Sequence, residues 1–312
     1  ACRSYKIKNI MSRVIGIKFE DKIRNFARIN VPYSNVIGLA RSILALGTLL
    51  TLFFNPIENL LIKKTNGEFV LQALLNDDFI TVINFFLIFG ADNIIIGKWL
   101  AILILLAVIS GYYQKITSIL HWWICISFFH ASTIIDGGDQ IAANLALLLI
   151  PICLFDNRKN HWNKKVESDS VLNLISLFFL YLMHLQMAVI YLHAAVGKFS
   201  HNEWSNGTAL YYWLNHSYFG LPEYLNFFNV FLSNPYFVTI FTYGSLILEI
   251  GLFLALMAGK KYKITLLFLA IFFHFIILLF MGIFSFFFSI TAGLIIYLFP
   301  TNINIKKLCL KN

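Results

Sequence analysis

The chain has 312 residues, of which 59% are apolar and 12% are charged, and its formal net charge is +9. Soluble domains are about a quarter charged, and the 32 phenylalanines exceed what a soluble core of this size can bury. The basic residues stand in short clusters between long apolar runs, which is typical of cytoplasmic loops and not of a nucleic-acid surface. The composition therefore predicts an integral membrane protein with the lipid bilayer, and no nucleic acid, as its partner.

Eight apolar runs approach or reach the length of a membrane-crossing helix, about 20 residues with a range of roughly 17 to 25. They form a transmembrane domain, residues 35–300, between a basic N-terminal arm, residues 1–34, and a basic tail, residues 301–312. The predicted fold is an all-α polytopic bundle of about eight transmembrane helices. The predicted spans are Val36–Phe54, Gly97–Tyr113, Ile119–Ile135, Gln140–Phe155, Val171–Lys198, Tyr236–Ala258, Ile264–Met281 and Ile283–Phe299.

The charges between the spans predict the orientation in the membrane. With eight spans, one side receives the basic residues Arg13, Lys18, Lys22, Arg24, Arg28, Lys115, Arg158, Lys159, Lys164, Lys165, Lys260, Lys261, Lys263, Lys306, Lys307 and Lys311. The other side receives the acidic residues Glu58, Glu68, Asp77, Asp78, Asp92, Glu203 and Glu223. The positive-inside rule then predicts a multi-pass protein of the cell membrane with both termini in the cytoplasm. A ninth span at Phe79–Gly97 would reverse the later loops, so that stretch is predicted to be interfacial or re-entrant.

A polar hairpin, Asp136-Gly-Gly-Asp139-Gln140, joins the third and fourth predicted spans on the outer side. The two glycines allow a tight turn. One aspartate is expected to cap the N-terminus of the fourth helix. A site role for the two carboxylates and the Gln140 amide is an equally open alternative.

The fifth predicted span carries ionisable residues at a helical spacing. His184, Tyr191 and Lys198 recur every seven residues and therefore share one helix face, whereas His193 lies off that face. Lys198 alone could reach the outer headgroups with its long side chain. His and Tyr side chains that face lipid within a span are unfavourable, however, so the shared face favours a polar site.

Two long outer segments, Asn55–Ile96 and Phe199–Pro235, are rich in apolar and aromatic residues and are predicted to lie at the outer interface. Trp204 and Tyr212 suit the headgroup level there.

Two further ionisable residues fall within predicted spans, where burying such a side chain costs free energy and therefore suggests a specific role. His274 lies in the seventh span and is either a structural or a catalytic residue. Glu249 lies in the sixth span and is predicted to neutralise an intramembrane cation, with Arg41 of the first span as the candidate partner. No Cys-x-x-Cys pair, zinc-protease motif or aspartic-protease arrangement is present in the sequence, and no metal site is predicted.

Several of these residues form a recognisable series. The stretch Tyr191-Leu-His-Ala-Ala-Val-Gly-Lys198-Phe is followed by Glu203-Trp204-Ser-Asn-Gly-Thr-Ala-Leu-Tyr-Tyr-Trp213, with His121-Trp-Trp, Asp136-Gly-Gly-Asp139-Gln140 and His274 as supporting pieces. This series resembles the horizontally transferred transmembrane (HTTM) domain, which vitamin-K-dependent γ-carboxylases share. With this length and span number, the chain is most similar to the sporulation-delaying protein B family.

The resemblance implies a role in maturing an exported antimicrobial peptide toxin, with a small partner protein of the sporulation-delaying protein A type and the precursor peptide as partners. In the carboxylases, the lysine that matches Lys198 is the base, and a histidine that matches His274 lies near it. The large extracytoplasmic domain of the carboxylases has no match in this sequence, so carboxylation is the less expected chemistry.

An outer-leaflet polar pocket is therefore predicted. Its catalytic candidates are Lys198, His193, His274, Asp136 and Asp139, and its substrate-binding candidates are His184, Tyr191, Gln140, Trp204 and Tyr212. Two alternatives stay open at this point: a quinone-dependent, γ-carboxylase-like membrane enzyme, and a non-catalytic scaffold for peptide export. The sequence leaves the cofactor, the peptide and the bond that is made or broken undetermined.

Overall fold

The computed structural model describes residues 20–65, 67–75, 82–163 and 170–301. Most of the predicted basic arm and tail, together with Asp77, Asp78, Lys164 and Lys165, lies outside the described residues. A helix over residues 20–29 precedes the transmembrane domain.

Eight principal helices occupy the positions of the eight predicted spans. They are α1 (Asn35–Phe54), α3 (Ile94–Ser110), α4 (Gln114–Ala131), α5 (Gly137–Phe155), α6 (Ser170–Phe199), α10 (Pro235–Leu254), α11 (Lys260–Met281) and α12 (Phe284–Leu298). The shorter helices are α2 (Ile57–Leu61), α7 (Asn202–Ser205), α8 (Ala209–Leu214) and α9 (Asn229–Leu232).

Five stretches among the described residues are helical, long and apolar enough to cross a membrane: Asn35–Phe54, Gly137–Phe155, Val171–Phe199, Pro235–Met257 and Lys260–Met281. Helices α3 and α12 are apolar but shorter. The architecture is therefore that of a helical membrane protein. The count of eight crossings and the cytoplasmic position of both termini remain predictions.

Helix boundaries differ from the predicted spans where backbone chemistry outweighs hydropathy. Helix α3 ends before Gly111, whose φ of +83° suits glycine, three residues earlier than the predicted span. Helix α4 ends at Ala131 and not at Ile135, because Thr133 leaves the helix and bonds to α2 through a 2.7 Å contact from its N–H to Leu60 O. The apolar residues Ile134 and Ile135 favour a longer helix when hydropathy alone is considered.

Helix α12 lies at the centre of the bundle and packs on α1, α5, α6 and α11. Close approach depends on small residues, as is common between membrane helices. A Cβ at Gly293 would meet the Met187 and Leu145 side chains, and a Cβ at Gly47 would meet Phe288. The start of α5 at Asp136 and the later half of α6 at Tyr191 both lie beside the contact between His274 and Phe286, so α5 and α6 run antiparallel. We call the two ends of the bundle the Lys198 end and the Arg158 end.

The segment between α1 and α3 contains a small antiparallel hairpin, β1 (Ile62–Thr65) and β2 (Glu68–Leu71), in which Ile62 pairs with Leu71. This short hairpin was not predicted, and the structure otherwise agrees with the predicted all-α fold class. A 3-10 turn, Gln72–Leu75, follows, and a second one, Phe85–Phe89, packs on α4. Asn84 anchors the second turn, since its side chain donates to Ser127 O at 2.8 Å. The described part of the predicted interfacial stretch is thus folded onto the bundle.

The connection between α6 and α10 folds over the Lys198 end. Helices α7 and α8, a 3-10 turn (Glu223–Phe228) and α9 follow each other within it. It is tied to α10 by two hydrogen bonds: Tyr243 Oη donates to Ser205 O at 2.8 Å, and Leu210 N–H donates to Thr242 Oγ1 at 3.1 Å. Several of its aromatic side chains are exposed, including Tyr212, Tyr218 and Tyr224. This position places Trp204 above the end of α6.

Candidate functional site

Lys198 lies in the last turn of α6 and points toward the bundle. Its ammonium forms an ion pair with Glu249 of α10. The same ammonium lies over the ring of Trp204, with 4.9 Å between Nζ and the ring centroid. The Lys198 side chain is 23% exposed, so this lysine does not simply extend into solvent or headgroups. A buried carboxylate and an aromatic ring hold it on the inner side of the helix end.

The structure gives Glu249 a different cation from the one predicted from the sequence. The prediction of an Arg41–Glu249 pair is wrong, because Arg41 donates to Thr117 Oγ1 at 2.6 Å and Lys198 binds Glu249. Glu249 is 5% exposed and lies 14 residues, about 21 Å of helix, from the start of α10. One of its oxygens, Oε2, is buried and has no hydrogen-bond partner among the described residues.

Tyr191 and His274 lie together beside this pair. Their rings meet edge to face, with 6.1 Å between centroids, and both residues are buried. Tyr191 is close enough to Glu249, and His274 close enough to Lys198, for the charges to act on them. The Tyr191 hydroxyl is buried without a partner in the described part of the chain. Two unsatisfied polar atoms, Tyr191 Oη and Glu249 Oε2, therefore belong to one neighbourhood.

The hydrogen bonds of His274 define which ring nitrogen is free. Its Nδ1 donates to Ala270 O at 2.7 Å, since a carbonyl only accepts. In the neutral ring, Nε2 then carries the lone pair and is the nitrogen that could take up a proton. The Phe286 ring packs on the other side, with 5.6 Å between centroids.

The aspartate hairpin forms a capping box at the start of α5. Asp136 accepts from the N–H groups of Gly138 and Asp139 at 2.7 and 3.1 Å, and Asp139 accepts from the N–H of Asp136 at 3.4 Å. Ser285 donates to the other Asp136 oxygen at 2.5 Å. Gly138 packs against the backbone of Phe286, where a Cβ would not fit. The capping alternative is confirmed for Asp136, and the cap fixes α12 against α5 next to the His274 contact.

The remaining predicted residues lie away from the ion pair. His184 lies two helical turns below Tyr191, where its Nε2 donates to Ile296 O at 2.9 Å. His193 and Gln140 are exposed, as is Tyr212 at 60%. The structure thus groups four of the predicted site residues: Lys198, Trp204, Tyr191 and His274. It adds Glu249, which was not among the residues predicted for the site. A signal for Glu249 was present, because a lone carboxylate in an apolar span needs a cation.

A second polar cluster lies at the Arg158 end. Asp156 accepts from the Arg158 guanidinium at 2.6 and 3.0 Å, and both side chains are buried. Arg158 NH1 also donates to His161 O at 2.9 Å, which closes the loop between α5 and α6. Burial, with the nearby Arg41 and Arg158 guanidinium groups, lowers the pKa of His161 to about 3. His161 is therefore neutral at physiological pH.

Comparison with known proteins identifies the family to which the chain belongs. The HTTM domain model matches residues 145–300, the range that contains Tyr191, Lys198, Glu249 and His274. The uncharacterized protein YitO of Bacillus subtilis (strain 168) is 36% identical over 280 residues, which cover 88% of each chain. Sporulation-delaying protein SdpB of the same organism is 35% identical over 277 residues, 88% of this chain and 84% of SdpB. No solved structure matches. The chain belongs to the sporulation-delaying protein B family of HTTM-domain proteins.

Proposed function

We propose that this chain takes part in producing an exported peptide toxin of the sporulation-delaying type. In this proposal it acts as a membrane maturation factor, together with a small partner protein of the sporulation-delaying protein A type. The likeness to SdpB over 88% of the chain supports the biological process. The chemistry is proposed from the Lys198 neighbourhood.

The observation that carries the proposed site is the pair of unsatisfied buried atoms beside an ion pair. Buried polar groups are nearly always hydrogen-bonded, and an exception in a native structure calls for an explanation. Glu249 Oε2 belongs to the carboxylate that pairs with Lys198, and Tyr191 Oη lies on α6 two helical turns before Lys198. A peptide carbonyl or amide, or a water molecule, that enters this neighbourhood would satisfy them.

The ion pair can switch between two chemical forms. When the Lys198 ammonium gives its proton to Glu249, the result is a neutral amine and a neutral acid, and the amine is a base or nucleophile. A low-dielectric site lowers the cost of this neutral form, because it removes two charges from the interior. His274 Nε2 offers a second proton acceptor on the Tyr191 side. In this proposal Lys198 acts on the substrate, and Glu249 and Tyr191 position it.

A toxin assay in living cells tests the proposed function. Cells that carry the toxin precursor, the partner protein and the Lys198→Ala variant are expected to release no active toxin, although the variant remains in the membrane. Lys198→Arg keeps the positive charge, but a guanidinium does not give up a proton in proteins, so this variant is expected to fail as well. Lys159→Ala changes an exposed lysine at the other end and is the matched control. Normal toxin output from both Lys198 variants would contradict the catalytic site and favour the scaffold.

Carboxylation is the second candidate, and the family supports it. The HTTM domain is the domain family of the γ-carboxylase-like proteins, and the His274 ring packs on Tyr191, which lies two helical turns before Lys198. Mass spectrometry of the mature peptide separates the two candidates. A cleaved or otherwise matured peptide without added carboxyl mass on glutamate favours the first, and added carboxyl mass favours quinone-dependent carboxylation.

A further inference from the structure

A small cavity lies at the Arg158 end, far along α6 from Lys198. Its volume of about 10 Å³ is close to the space that one water molecule needs. It lies between α1, the start of α4, the end of α5 and the loop that follows α5. Its lining includes Gly38, Arg41, Gln114, Cys153, Asp156 and His161.

Arg41 is the residue in this lining whose hydrogen bonds are incomplete. It is 1% exposed, and its NH2 group donates to Thr117 Oγ1 at 2.6 Å. Its Nε and NH1 atoms are buried and have no partner within the described residues. A guanidinium is always charged in proteins and carries five N–H donors. Most of these donors therefore have no acceptor among the described residues, and an occupant of the cavity could accept from them.

The charges of the described residues around the cavity do not balance. Asp156 is already engaged by Arg158, which binds both of its oxygens. His161 is neutral, as described above. The acidic groups that act on the Arg41 charge are the Cys153 thiol and Asp156, and because Asp156 is shared with Arg158, Arg41 has no carboxylate of its own among the described residues. A buried charge without compensation is strongly unfavourable, so the balance calls for an anion.

The first turn of α1 adds positive potential to the same cavity. Gly38 lies in that turn, and the N-terminus of a 20-residue helix carries a partial positive charge. The His161 ring closes over Gly38, where a Cβ would come within 2.9 Å of the ring. The helix terminus and the guanidinium thus face the same cavity, and the His161 ring fills the space that a side chain at position 38 would take.

We propose that this cavity binds a small monovalent anion of halide size, held by the Arg41 guanidinium at the N-terminus of α1. The size of the cavity argues against phosphate or a lipid headgroup. The anion would neutralise Arg41 and fasten α1 to α4 and α5. Its role is structural and is independent of the toxin chemistry at the Lys198 end.

Thermal unfolding of the purified full chain in detergent tests the anion site. The unfolding midpoint is measured in sodium chloride, sodium bromide and sodium gluconate at equal ionic strength. A ligand that binds only the folded state raises the midpoint, so wild type is expected to unfold a few degrees higher in the halides, a shift of the size that about 1 kcal/mol produces. Lys159→Gln removes an exposed charge from the same loop and is expected to keep the full halide effect.

The Arg41→Gln variant is expected to lose the halide dependence. If that variant does not fold, chloride NMR of wild type replaces it: the protein is expected to broaden the chloride resonance, and added bromide is expected to reverse the broadening by competition. Equal midpoints of wild type in chloride and gluconate would overturn the proposal, and a cavity filled by one water molecule or by a carboxylate of the chain predicts that result. Chloride broadening that bromide does not reverse would also overturn it.

Discussion

The Lys198–Glu249 ion pair makes an energetic prediction that is asymmetric between its two partners. Lys198→Met leaves the Glu249 carboxylate, 5% exposed, without a cation inside the bundle. Breaking a buried pair in this way costs about 3–5 kcal/mol. Glu249→Gln leaves Lys198, whose side chain is 23% exposed and keeps the Trp204 ring below its ammonium. A lysine at a helix end can turn toward headgroups, so this change is expected to cost about 1 kcal/mol or less.

The double variant separates the pair from the single substitutions. With both charges removed, no buried ion remains, and the double variant is expected to be more stable than Lys198→Met alone. The coupling energy of the cycle should be about 1–3 kcal/mol, as for residues in direct contact. The assay is equilibrium unfolding of purified variants in mixed micelles, followed by circular dichroism. Additive effects, or a larger loss for Glu249→Gln than for Lys198→Met, would refute the assignment of the pair.

Two further predictions concern other parts of the bundle. Asp136→Ala removes the cap of α5 and the acceptor for Ser285, and is expected to lower the free energy of unfolding by about 1–2 kcal/mol. Asp136→Asn keeps a capping oxygen and is expected to keep most of that free energy. Thermal unfolding of both variants measures the difference. His161 stays neutral in the folded state, whereas in the unfolded chain its imidazole takes up a proton once the pH falls below its usual pKa of about 6.5. Stability that is fully present above about pH 6.5 is therefore lost as the pH falls toward 3, by about 2 kcal/mol at pH 5. Unfolding midpoints at pH 7.5 and pH 5 should therefore differ less for His161→Gln than for wild type, and an equal difference would count against this account.

The helices could be predicted from the sequence because apolar runs of the right length leave little choice in a membrane protein. Helix ends were less predictable, since caps and left-handed residues decide them. Gly111 and Asp136 carry that information, but hydropathy does not weigh it. The hairpin between α2 and the first 3-10 turn was missed, although the dipeptide Asn66-Gly67 in the sequence is a common hairpin signal.

The candidate site was predictable in part, and its limits have a physical reason. Sequence spacing fixes which residues share a helix face, so it places Tyr191 and Lys198 on one side of α6. The neighbouring helix that meets this face at a given depth does not follow from spacing. His184 shares the face yet bonds to α12 two turns away, and Glu249 comes from a helix whose register with α6 is set by packing.

The central claim is that the Lys198 site faces the outside, where an exported peptide could reach it. The direct measurement uses a chain in which Cys2, Cys125, Cys153 and Cys309 are replaced by serine and a single cysteine replaces Ser200, an exposed residue two positions after Lys198. A membrane-impermeant maleimide is expected to label Ser200→Cys in intact cells. The control Lys159→Cys, at the opposite end, is expected to react only after the cells are permeabilised. Labelling of Ser200→Cys only after permeabilisation would contradict the claim.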